Sequence, residues 1–328
     1  MHTAVTVPRE TAIRCTYASP SVVEKTGIRW VSSELAPLAF LSAYDPPVLP
    51  TQFGQIYLKF LGSLINGVLF ELAKLSVRSW SEPVRRLRAE LGLPPGKDPL
   101  FEGQHSPDLV LALFSKVFAQ PQLDWPKQTC VTGFPFYDRQ DKPELTPELS
   151  EFLDAGSPPI VFTLGSSAVM DAGNFYIESA IAAKKLGHRA VLLIGKDQHN
   201  KPPQSLLSEN IAAFDYAPYA KLFSRSIAIA HQGGIGTTAQ ALRSGRPMLI
   251  MPYSHDQPDN AARVERLGVG RTIERTRYTN AQAAAELKQL LTNSKYTQRA
   301  TEIGKQIQLE NGVKKACEAI EARLNIST

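Results

Sequence analysis

The stretch from Ile227 to Ala261, IAIAHQGGIGTTAQALRSGRPMLIMPYSHDQPDNA, constrains this chain more than any other. It opens with a short apolar run, Ile227 to Ala230, which reads as a buried strand of a parallel sheet. His231 stands where that strand ends, and a glycine-rich turn follows at Gly233-Gly234-Ile235-Gly236. A helical stretch then runs from Thr237 to Arg243; Gly245 can cap it, and Met248 to Met251 reads as a second buried strand. Strand, turn and helix bring free backbone N–H groups and the positive end of a helix dipole to one point, which is a place for a phosphate. Thr237 and Thr238 add hydroxyls there, and His231 can give a ring N–H. Beyond the second strand, Asp256 offers acceptors and Gln257 both donors and an acceptor, a pair suited to sugar hydroxyls.

Taken in order, His231-x-Gly233, the Gly/Thr turn and Pro252-x-x-x-Asp256-Gln257-x-x-Asn260-Ala261 resemble a known donor-binding signature. It is that of nucleotide-sugar glycosyltransferases with two Rossmann-like domains, the GT-B type. The branch resembled holds plant UDP-glycosyltransferases, sterol glucosyltransferases and bacterial antibiotic glycosyltransferases. The resemblance implies an α/β fold of two doubly wound domains and a UDP- or dTDP-sugar as co-substrate, with no other cofactor and no metal. It also implies hexose transfer, with inversion, to a small, lipophilic hydroxyl acceptor. The donor-binding residues it assigns are Ser166, Tyr216, His231, Gly233, Gly234, Gly236, Thr237, Asp256 and Gln257. In that assignment Ser166 approaches the diphosphate. Tyr216, in Tyr216-Ala217-Pro218-Tyr219, stands where plant relatives stack a tryptophan on the nucleobase; a packed tyrosine is the alternative.

Strand and helix signals alternate through the second half: Ile160 to Leu164, Phe175 to Leu186, Ala190 to Ile194 and Ile211 to Phe214. Such alternation gives a parallel, doubly wound sheet with its ligand at the carboxyl ends of the strands. Gly165-Ser166-Ser167 is a second strand-to-turn site at such an end, although Ser167 equally suits a helix N-cap. Helices are expected at Ala283 to Leu291, Thr297 to Gln308 and Val313 to Leu324. In the first half, Val22 to Lys25 reads as helix, and Ile28 to Ser32, Leu109 to Phe114 and Thr129 to Gly133 as strands. Leu61, Leu64, Ile65, Val68, Leu72 and Leu75 recur at helical spacing, and core packing is the expected role of that stripe. The implied division is an acceptor-side domain over 1–137, a proline-bearing linker over 138–158 with a short helix starting at Thr146-Pro147, a donor domain over 159–310, and a tail over 311–328 whose helix returns to the first domain.

Length and charge narrow the function classes. A chain of 328 residues has room for two domains. Its formal charge of +5 lacks the concentrated basic face that nucleic acid requires. Lys74, Arg78, Arg85, Arg86, Arg88 and Lys97 meet only Glu82 and Glu90 in sequence. A solvated helix face is the favoured reading, and weak peripheral contact with an anionic membrane is the sharper one. Cys15, Cys130 and Cys317 fit neither a disulfide framework nor a zinc site, which points to a reducing, cytoplasmic setting. No signal-peptide core opens the chain, and Ile56 to Phe70 is too short and too polar to span a bilayer.

Two departures from the resembled pattern matter. Plant relatives carry a ribose-binding Glu eight residues after the signature His, where this chain has Ala239 followed by Gln240. The resembled enzymes also begin with strands and a loop that bear the general base, so the N-terminal domain here is expected to be incomplete, by on the order of 100 residues. No catalytic residue is nominated, and His105 has no partner that the sequence names. A general base is worth about a hundredfold or more, so the chain alone is expected to bind donor but transfer little, with a separate N-terminal polypeptide as the alternative source of the base. A hydrolysing epimerase on the same fold is disfavoured, because no catalytic carboxylates are found to flank the sugar.

Overall fold

Two parallel sheets organise the chain. The computed structural model describes residues 17–51, 54–56, 61–137, 144–165 and 168–324. Ser166 of the expected donor set therefore lies outside the described residues. The strands are β1 (Ser32–Glu34), β2 (Leu49–Thr51), β3 (Gly54–Ile56), β4 (Val110–Ala112), β5 (Thr129–Val131), β6 (Ile160–Thr163), β7 (Ala190–Leu193), β8 (Ile211–Phe214), β9 (Ala228–His231), β10 (Met248–Ile250) and β11 (Gly270–Thr272). The helices are α1 (Ser19–Thr26), α2 (Gly62–Ser76), α3 (Glu82–Glu90), α4 (Pro147–Asp154), α5 (Phe175–Leu186), α6 (Tyr219–Leu222), α7 (Ile235–Ser244), α8 (Gln257–Arg266), α9 (Asn280–Thr292), α10 (Ser294–Gln308) and α11 (Gly312–Leu324).

The larger sheet has six parallel strands in the order β11-β10-β9-β6-β7-β8. Counted within this sheet, that is the 3-2-1-4-5-6 order of a doubly wound nucleotide-binding fold, and the chain reverses direction across the sheet between β6 and β9. Every residue of β6, β7 and β9 is buried. Helices cover both faces, so these strands read in sequence as unbroken apolar runs. The smaller sheet, β1-β4-β5, is also parallel, and β2 and β3 form a separate antiparallel pair.

Several expectations for the first half shift. The strand expected at Ile28 to Ser32 forms instead at Ser32–Glu34, where it aligns with Val110–Ala112. The apolar stripe of α2 faces the wrong way for core packing: Leu64 is 87 % exposed, and Ile65, Val68, Leu72 and Leu75 are exposed as well. The helix docks through Asn66, Phe70 and Lys74. Asn66 Nδ2 donates to the Ala43 carbonyl at 3.1 Å, and Lys74 lies over the Phe101 ring. A helix that is apolar round most of its circumference has no single face for periodicity to identify.

The basic stretch is also less free than its sequence implies. Lys74 pairs with Glu71 and Glu102, Arg85 with Glu82 and Asp98, Arg86 with Glu82, and buried Arg88 with Glu24. Within 138–158, the Thr146 hydroxyl caps α4 by accepting from Leu149 N–H, as Thr-Pro spacing predicts. That helix packs onto the larger sheet: Leu149 and Leu153 are buried, Phe152 meets Phe214, and Arg189 lies over Phe152. At the other end, Lys315 of α11 donates to the Val131 carbonyl at 2.7 Å, and the Ser115 hydroxyl donates to Glu310 just before α11.

Candidate functional site

A polar recess of about 530 Å³ opens at the reversal point of the larger sheet. Its walls are Gly165 after β6, Gln232 and Gly234 after β9, the first turn of α7, Tyr219 of α6, and His255, Asp256 and Gln257 at the start of α8. The carboxyl end of a strand beside such a reversal is where open α/β sheets bind ligands. Thus Gly234, Gly236, Thr237, Asp256 and Gln257 of the expected donor set converge on one recess.

The turn is shaped by glycine at two positions. Gly233 adopts φ +87°, and a Cβ there would lie 2.8 Å from Ile250 Cγ2. A Cβ on Gly234, which caps α7, would lie 2.9 Å from Gln232 Nε2. The turn delivers the N-terminus of α7, with its unpaired N–H groups, to the recess. Among the described residues no lysine or arginine lines it, so backbone and side-chain dipoles supply the positive potential there.

His231 and Gly233 sit behind this wall. The His231 ring is completely buried, its Nδ1 accepts the Gly233 N–H at 3.0 Å, and its Nε2 is buried without a partner. Burial pulls its pKa down to about 3, so the ring is neutral with its proton on Nε2. The N–H that the sequence assigns to a phosphate is therefore the Nε2–H.

Asp256 and Gln257 are partly committed to their own loop. Gln257 Oε1 accepts from Tyr253 N–H at 2.8 Å, which leaves its amide hydrogens for a ligand. Asp256 Oδ2 accepts from Asn260 Nδ2 at 2.8 Å, and that same Nδ2 donates to the Gly233 carbonyl at 2.9 Å. Asn260 is thus the tie that holds the second half of the signature against the glycine turn. His255 holds φ +58°, unusual for a side chain other than glycine, and its Nδ1 lies 2.7 Å from Ser254 Oγ.

Tyr216 does not line the recess and is 56 % exposed; Tyr219 lines it instead. The Tyr219 ring stacks on Phe223 at 4.5 Å, and its hydroxyl lies 2.8 Å from Thr163 Oγ1 at the end of β6. Sequence reasoning passed over Tyr219, Gln232, His255 and Asn260. For Gln232 and Asn260 the signal was present, since both lie inside the signature; for Tyr219 only the sheet order supplies it.

His105 lies elsewhere. It lines a separate cavity of about 1040 Å³ in the first half, among Phe40, Phe70, Phe101 and Trp125. Its ring stacks on Phe40, and its Nδ1 lies 3.3 Å from Glu34 Oε1, a neighbour that sequence distance concealed. Among the described residues, no helix is long and apolar enough to cross a membrane.

Comparison with known proteins places this geometry. Residues 182–314 match the family described as erythromycin biosynthesis protein CIII-like, C-terminal domain. The chain is 35 % identical over 242 residues to O-mycaminosyltylonolide 6-deoxyallosyltransferase of Streptomyces fradiae, across 73 % of this chain and 55 % of that protein. It is 32 % identical over 234 residues to sterol 3-beta-glucosyltransferase of Cryptococcus neoformans, across 63 % of this chain and 14 % of that protein. The chain therefore spans about half of the first relative and far less of the second. A crystal structure of the glycotransferase of kitacinnamycin superposes with a TM-score of 0.72 at 20 % identity, covering 94 % of this chain and 73 % of that one, which establishes the shared GT-B fold.

Proposed function

We propose, from the match of residues 182–314 to the erythromycin biosynthesis protein CIII-like C-terminal domain family, that this chain holds a UDP- or dTDP-sugar in the recess and takes part in transfer of its hexose to a small, lipophilic hydroxyl acceptor. One observation carries the reading: Gly165 after β6 and the turn after β9 meet at the reversal point of the sheet and present the N-terminus of α7, with Thr237, to one recess. A nucleoside diphosphate fits such a place, because its charge is met by aligned N–H dipoles. The same dipoles stabilise the charge that grows on the diphosphate as the glycosidic bond breaks, and they do so without a metal. Asp256 and the Gln257 amide line the same recess and suit the sugar hydroxyls. Displacement at the anomeric carbon then proceeds with inversion.

The competing reading is a chain that binds donor and takes its general base from elsewhere. Among the described residues, the titratable side chains that line the recess are Tyr219, His255 and Asp256. His105 belongs to the other cavity.

Calorimetry with UDP, dTDP and their glucose conjugates tests the donor reading. Both nucleotides are expected to bind in the presence of a chelator. Asp256→Ala should weaken the sugar conjugates, by about 1.5–3 kcal/mol for a lost hydrogen bond to a charged group, while the free diphosphates keep their affinity. Equal loss for both would make Asp256 a support of its loop through Asn260. No binding of either nucleotide would end the proposal. A transfer assay across phenolic and sterol acceptors separates the two readings of the base.

A further inference from the structure

Gln232 is the residue between the signature histidine and the glycine turn, and its carboxamide occupies an unusual place. It is 4 % exposed yet lines the recess, and its Oε1 is buried without a hydrogen-bond partner. A Cβ built on Gly165 would lie 2.2 Å from Gln232 Nε2, and one on Gly234 would lie 2.9 Å from the same atom. The amide therefore fills the space that the missing side chains of both turns leave open. A side chain at 165 would have to push the Gln232 amide aside.

Leaving a buried acceptor unmet costs about 1–3 kcal/mol, and such groups in folded proteins commonly wait for a ligand or water. Gln232 also stands where a donor counts for most. Among the described residues no lysine or arginine lines the recess, so N–H and O–H donors are what its walls offer a diphosphate. The carboxamide is neutral, carries two such hydrogens, and sits between the turn after β6 and the N-terminus of α7.

We propose that Gln232 is a donor-binding residue: its Nε2–H donates to a phosphate oxygen of the nucleotide, and its Oε1 accepts from a hydroxyl of the ligand. This rests on the donor reading above and adds to it a residue that joins the two turns into one diphosphate site.

The test uses the 328-residue chain, with UDP and dTDP as calorimetric probes, at a temperature where melting curves show each variant folded. Gln232→Met keeps the shape and loses the donor; affinity should fall roughly tenfold, the effect of losing one hydrogen bond to a charged partner. Gln232→Glu keeps the shape and sets a negative charge against the diphosphate, so it should lose markedly more than Gln232→Met. Gly165→Ala, which displaces the amide without removing it, should weaken binding in the same direction. Affinities like wild type for Gln232→Met and Gln232→Glu overturn the inference and leave the donor reading standing. Equal losses in those two variants also overturn it, because they would report shape and not the N–H. If the wild-type chain binds neither nucleotide, the donor reading itself fails and the inference goes with it.

Discussion

The two sheets treat apolar sequence in opposite ways. In the six-stranded sheet, the apolar runs of β6, β7, β9 and β10 are buried along their whole length: Phe162, Leu192 and Ile229 have no exposed surface. In the half of the chain that holds the three-stranded sheet, α2 turns Leu64, Ile65, Val68, Leu72 and Leu75 to the outside and buries Asn66. The first arrangement gains hydrophobic free energy from nearly every apolar side chain, whereas the second leaves most of that gain unrealised. Hydrophobic pattern thus reports burial faithfully only where both faces of a sheet are covered.

The largest contrast should appear in core truncation. Phe162→Ala should cost about 3–5 kcal/mol, the usual range for emptying a buried phenylalanine site. Leu64→Ala should change stability by no more than about 0.5 kcal/mol, as exposed positions do. Urea unfolding followed by far-UV circular dichroism measures both. A large loss at Leu64 would mean that α2 is covered in solution, and the contrast would disappear.

The next effect concerns the join between the regions. Arg263 of α8 is 2 % exposed and binds Asp259 at 2.8 Å and Asp45 at 2.5 Å; Arg266 adds a second bond to Asp45. Burial pushes the Asp45 carboxyl up, but Arg263 and Arg266 outweigh it and hold it below the usual range. At Asp259, which is deeper, burial wins and the carboxyl is held above that range. Arg263→Met should cost about 3 kcal/mol or more, because it strands a buried carboxylate. Since α8 begins at Gln257, it should also lower affinity for nucleotide sugar. Unchanged unfolding midpoints would show that the join does not support the recess.

At neutral pH the smallest effect is a pH dependence in the larger sheet, which grows only as the solution is acidified. The His231 pKa falls from 6.5 to about 3 on folding, so the unfolded chain binds the extra proton between those values. Stability from this burial is complete above pH 6.5 and is lost as the pH falls toward about 3, by at most about 1.4 kcal/mol per unit. Melting temperatures across that window should fall less steeply for His231→Gln than for wild type. Parallel curves would mean that His231 is protonated or solvated in the folded protein.

Much of the fold was legible because buried parallel strands and glycine turns are local signals. Ile160, Ala190, Ile211 and Met248 begin their strands where the apolar runs begin, and Gly245 ends α7 with φ +68°. The site was legible where chemistry and spacing coincide in one stretch, as at Gly234, Thr237 and Asp256. It was not legible where partners lie far apart in sequence: Tyr219 reaches Thr163, Arg263 reaches Asp45, and His105 meets Glu34.

By itself, then, the sequence determined the parallel, doubly wound sheet and the anion-binding turn, because backbone periodicity and the conformational demands of glycine are written residue by residue. Tertiary structure alone decided that β6 lies beside β9, which brings Gly165 to the turn at Gly234 and encloses Gln232 between them. It alone decided that Asn260 ties Asp256 to Gly233, and that α2 docks through Asn66 and not through its leucines. The physical reason is common to all three. A side chain's pattern fixes which neighbours share its face, but which surface covers that face depends on strand order and on contacts that form only once the chain has folded back on itself.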